Sequence, residues 1–111
     1  MFKARFIHNG DAIDHTPAAN VAAGDVVVQG DLVGVAKLDI PADALGALAV
    51  KGVFDVAKAT GADTGFDAGA KVYWDSGNQR AAKTATGNKL MGKAVVAAAD
   101  GDELVRVRLS Q

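Results

Sequence analysis

AGAKVYWDSGNQRA at 68–81 and GNKLMGKAVVAAADGDELVRVRLSQ at 87–111 decide how this chain reads. In the first, Val72 and Trp74 fall on one side of an alternating run, and Lys71, Tyr73 and Asp75 on the other. A period of two is the signature of a half-buried strand. Ser76-Gly77-Asn78 turns the chain, and Gln79 to Thr84 can pair back. In the second stretch, Leu90 to Ala98 and Glu103 to Leu109 read as strands around Asp100-Gly101. Asp-Gly between two apolar runs is a hairpin signal, because the tight turn needs residues that tolerate positive φ. In the last strand Val105, Val107 and Leu109 face one way, and Leu104, Arg106 and Arg108 the other.

The same stretch carries an echo of a phosphate-binding loop, G-x-x-x-x-G-K-S/T, in Gly87, Gly92 and Lys93. The last position is Ala94, which has no hydroxyl to hold magnesium. Such a loop must also open a helix whose first amides hold the phosphates. Here Val95-Val96 follow, Asp100-Gly101 turns the chain, and only 17 residues remain after Ala94. A turn at Gly87-Asn88 and a strand containing Gly92 account for the segment without a nucleotide.

Working outward, Val26-Val27-Val28 is a β-branched run stopped by Gly30-Asp31, and Leu32 to Leu38 is apolar on both faces until Lys37. Two short strands around a Gly-Asp turn fit. Residues 49–59 place Val50, Phe54 and Val56 on one face of a strand, with Gly52 at a bulge or a close backbone approach. Residues 2–8 alternate Phe2, Ala4 and Phe6 with Lys3 and Arg5 and read as another strand. Residues 8–24 are small and polar and read as a loop or extended arm, with room for a short extended piece around Ile13. Residues 41–46 hold at most one short helix, begun by Pro41 and ended by Gly46. The expectation is an all-β fold, a small sandwich or barrel of about eight short strands, over a single domain 1–111.

The composition narrows function further. There are 12 basic and 13 acidic side chains and no cysteine. No basic stripe marks a phosphate-backbone binder, and disulfides, thiolate catalysis and cysteine zinc sites are excluded. No apolar run reaches the roughly 18 residues of a membrane span. Six aromatic residues in an Ala- and Val-rich chain make a thin core, so oligomer contacts or docking are expected to add stability. His8, Asp11, Asp14 and His15 could be drawn as a metal cluster, but their spacing fits no helical or hairpin site. Most aspartates sit at turns, where the side chain bonds its own backbone. No catalytic, cofactor or metal residue is therefore assigned. Phe2, Phe6, Tyr73, Arg106 and Arg108 are the candidate interface residues.

The ordered strings GDVVVQGDLVGVA (24–36), GVFDVAKATG (52–61), AGAKVYWD (68–75) and GNKLMGKAVVAAADGDELVRVRL (87–109) resemble the capsid cement, or head-decoration, family of tailed bacteriophages and prophages. Members of that family are sometimes labelled recombinase-like. The resemblance implies a non-enzymatic structural virion protein that binds the outside of an assembled icosahedral capsid and stabilises it. It implies the major capsid protein and further copies of itself as partners, in a homo-dimer or homo-trimer. Neither nucleic acid nor membrane is implied. The location implied is the capsid exterior, with the host cytoplasm during assembly. Two other readings compete: a nucleotide-binding or recombination-related protein using 87–94, and a stand-alone glycan- or peptide-binding β module.

Overall fold

The computed structural model describes residues 3–111. Among them are nine strands and no helix: β1 Ala12–His15, β2 Val26–Gln29, β3 Leu32–Ala36, β4 Gly46–Ala49, β5 Gly52–Ala57, β6 Lys71–Asp75, β7 Arg80–Ala82, β8 Lys89–Ala94 and β9 Leu104–Leu109. They form a four-stranded sheet in the order β1-β4-β3-β2 and a five-stranded sheet in the order β5-β9-β8-β6-β7. Every strand pairing within them is antiparallel. The all-β expectation holds, in its sandwich form. Val33 and Val35 of β3 share one core with Val56, Val72, Trp74, Met91, Val105, Val107 and Leu109 of the five-stranded sheet.

The four-stranded sheet is covered on its other face too, where Ala36, Ile40 and Leu48 are buried with Ile13, Val21 and Val27 against them. The cover is made by residues 17–24 and 39–43. Val21 and Ile40 exchange backbone hydrogen bonds of 2.9 and 2.8 Å, and the Asp43 N–H donates to Pro17 O at 2.8 Å. The Ala42 N–H donates to Asn20 Oδ1 and the Ala23 N–H to Asp39 Oδ1, each at 2.8 Å. Burial on both faces is why β3 is apolar without alternation.

The structure departs from the sequence reading at several elements. Phe2 lies outside the described residues, and Lys3 to Ile7 form no strand. The first strand is β1, which pairs Ile13 with Leu48. Alternation does not make a strand by itself; a sheet edge must be in reach and something must be buried. Pro41 to Ala44 make one turn, closed at 3.1 Å, with Asp43 at φ 63°. The chain then enters β4, where burying Leu48 outweighs a weak helical tendency. The strand read at 49–59 is two strands in different sheets. Gly52, at φ 120°, lets the chain cross between them. The bulge is elsewhere, on β8: Val72 faces Gly92 but Tyr73 faces Leu90, leaving Met91 as the extra residue. Two consecutive residues, Met91 and Gly92, are thereby both buried.

β8 and β9 pair as expected, yet without a two-residue hairpin. Residues 95–103 connect them, and Asp100-Gly101 sits in a turn closed by the Asp102 N–H to Ala99 O at 3.0 Å. Lys58 holds this loop against the sheet. Its side chain is buried, and Nζ donates to Asp102 O at 2.7 Å, to Ala59 O at 2.8 Å and to Asp100 O at 3.4 Å. Three ammonium donors thus meet three carbonyls. Lys58→Met keeps the stem but takes the donor from Ala59 O and Asp102 O, while Asp100 O keeps the Gly61 N–H at 3.0 Å. It is expected to cost about 2 kcal/mol, read as a lowered midpoint in urea unfolding. The Gln111 amide makes a further tie: its Oε1 accepts from the Val33 N–H at 2.6 Å and its Nε2 donates to Val33 O at 2.5 Å. This stitches the segment after β9 to a part of β3 that β4 does not reach.

Candidate functional site

The outer face of the five-stranded sheet is built by the period of two in its strands. In β9, Val105, Val107 and Leu109 are buried while Leu104, Arg106 and Arg108 are exposed. The register then sets neighbours that are far apart in sequence. Arg108 lies opposite Val53 on β5 and opposite Lys93 on β8, and Lys93 lies opposite Lys71 on β6. One row along, Arg106 lies opposite Asp55, and the Val95 N–H donates to Arg106 O at 2.9 Å. Tyr73, half-buried, stands between Leu90 and Ala82.

Three of the candidate interface residues, Tyr73, Arg106 and Arg108, therefore share one face. Phe6 is 79% exposed in the segment before β1, away from any strand. Phe2 lies outside the described residues. Lys71 and Lys93 lie on the same face and were not among the candidates. The alternation in KVYWD already put Lys71 outward, but Lys93 was weighed only as a phosphate-loop lysine.

Arg106 grips Asp55 as a fork, Nε to Oδ1 at 2.9 Å and Nη2 to Oδ2 at 3.3 Å. The hydrogen bond from Arg106, helped by its charge, holds the Asp55 carboxyl below its usual value of 3.8. The same bond raises Arg106. A carboxyl lowered in the folded state stabilises the fold above its unfolded pKa and loses that contribution as pH falls through the folded value. Asp55→Asn is thus expected to lower the melting temperature slightly at neutral pH. The difference from wild type should shrink as the pH is taken below 3.8 and fade in high salt, as for any exposed pair. Parallel melts across pH check this.

The phosphate-loop echo resolves into strand structure. Gly87, at φ 78°, ends a turn in which the Asn88 N–H donates to Ala85 O at 3.1 Å and Asn88 Nδ2 to Thr84 O at 2.9 Å. Lys89 to Ala94 are β8, so no helix N-terminus follows the glycine. Among the described residues, no three His, Asp or Glu side chains form a metal-holding group, and no helix is long and apolar enough to cross a membrane. Tyr73 and Lys71 border a hollow of about 390 Å³ with Phe66, Asp67 and Lys83.

The sequence model of a family described as phage cement protein matches residues 7–109. No curated protein and no solved structure matches the chain significantly.

Proposed function

The chain belongs to the phage cement protein family, and from that premise we propose that it binds the outer surface of an assembled icosahedral capsid and stabilises it. The observation that carries this reading is the family match over 7–109. The fold supports it. Two sheets sharing a core make a stiff platform, and one broad sheet face presents cations and exposed aliphatic side chains. The segment ahead of β1, with Phe6 and Ile7 79% and 69% exposed, offers a second contact.

The partner in this reading is the major capsid protein, and the site of action is the capsid exterior, with assembly in the host cytoplasm. Self-association as a dimer or trimer would multiply modest contacts. Once one copy of an oligomer is seated, the others meet their sites at high effective concentration. No substrate, nucleotide or metal takes part.

The test is to add the purified chain to undecorated capsids of the parent phage. Binding should saturate at a fixed number of copies per shell and raise the temperature at which the shell falls apart. Absence of binding at any ratio would reject the reading.

A further inference from the structure

We propose that the outer face of the five-stranded sheet is the docking face, and that it takes a carboxylate-rich surface of the shell protein on the row Arg108, Lys93 and Lys71. The inference rests on the capsid-binding reading and adds which face is used and by what chemistry.

The row crosses three neighbouring strands, β9, β8 and β6. At about 4.8 Å per strand its bases span roughly 10 Å. All three side chains are exposed, and none makes an ion pair among the described residues. Three other cations are paired: Lys51 lies 3.8 Å from Asp11, Lys89 lies 2.6 Å from Asp31, and Arg106 is forked on Asp55. With 13 acidic side chains available and a net charge of −1, three like charges directly opposite one another are a specific arrangement. Like charges at cross-strand positions repel and weaken the free fold. A partner's carboxylates would remove that repulsion on binding.

The surroundings suit a protein partner. Val53 continues the row and is 54% exposed, and Val95 and Leu104, further along the face, are 42% and 52% exposed. One arginine beside exposed aliphatic groups suits the middle of a docking patch, and the two lysines suit its polar rim. A nucleic-acid backbone is disfavoured, because three cations in one short row make no extended basic stripe, and Tyr73 is the one aromatic side chain on this face among the described residues, too few for a stacking platform.

The experiment uses the full chain and undecorated shells of the parent phage. Wild type should bind shells with an affinity that falls as salt rises. Lys93→Glu places a carboxylate between Lys71 and Arg108. It should raise the melting temperature of the free protein by a few degrees yet weaken shell binding at least tenfold. The triple variant Lys71→Glu, Lys93→Glu, Arg108→Glu should abolish binding. Lys37→Glu, an equal charge change on exposed Lys37 beside the other sheet, should bind as wild type. If wild type binds and the triple variant binds equally well, the docking face is wrong and the capsid reading stands. Tight binding of duplex DNA by wild type, lost in the triple variant, would overturn the protein partner. So would a change of oligomeric state in the triple variant, which would assign the face to a second copy. If wild type binds no shell, both readings fall.

Discussion

Gly92→Ala is expected to lower the melting temperature by roughly 10–20 °C, corresponding to about 3 kcal/mol. Gly92 sits in the middle of β8, opposite Val72 on one side and Leu109 on the other. A Cβ there would overlap the Arg108 carbonyl oxygen. It would also lie 2.8 Å from the Arg108 carbonyl carbon and 3.1 Å from Leu109 Cα. These are backbone atoms of an interior strand, so no side-chain rotation relieves the contact. The β8–β9 ladder would have to part beside the Met91 bulge. Thermal melts followed by far-UV circular dichroism give the answer, and a shift under about 3 °C would mean the two strands lie further apart than this. The same glycine separates two meanings of the 87–94 stretch. In a phosphate loop it would let a ligand approach; here it lets a neighbouring strand approach.

Trp74→Ala is expected to cost about 3–5 kcal/mol, the range for deleting a buried large aromatic. Trp74 is 5% exposed and belongs to the core shared by the two sheets. It lies opposite Lys89 on β8 and Ala81 on β7. The core it belongs to is mostly Val and Ala, short side chains that refill little of the space an indole leaves. Against a total stability of order 5–15 kcal/mol for a natural domain, the variant would stand near the edge of folding. Urea unfolding read by circular dichroism measures it, since the fluorophore itself is removed. A loss below about 1 kcal/mol would place the indole at the surface. Tyr73, one residue earlier and on the opposite face, is the natural comparison.

Much of this fold was legible because strands announce themselves by a period of two. β9 reads buried and exposed in strict alternation, and KVYWD put Trp74 inside before any contact was known. The unbroken apolar run of β3 was legible as a strand too; that both its faces are covered is seen only in the packing. What misled was alternation without a partner. Residues 2–8 have the pattern, but Lys3 to Ile7 form no strand, while β1 at Ala12–His15, with a weaker pattern, found the edge of β4. β4 itself was hidden behind helix-like residues, because what makes it a strand is Leu48 packing beside Ala36 and Ile13. The Asp100-Gly101 signal gave the pairing of β8 with β9 but not the loop, which Lys58 holds from a distance of more than 40 positions in the chain.

The inward sets of β6 and β9 and the absence of a helix after Gly87 follow from local residue pattern alone. Side-chain alternation and turn chemistry act over a few residues, and the chain carries both in plain form. Which charges meet is another matter. Lys71, Lys93 and Arg108 come from three separate strands. They fall into one row only through the pairing of β6 with β8 and of β8 with β9. The Met91 bulge sets that register, shifting the alignment by one residue between Val72 and Tyr73. A shift of one residue reverses which face a side chain occupies. Non-local backbone pairing, with no trace in any single stretch of sequence, therefore decided where the cationic row lies.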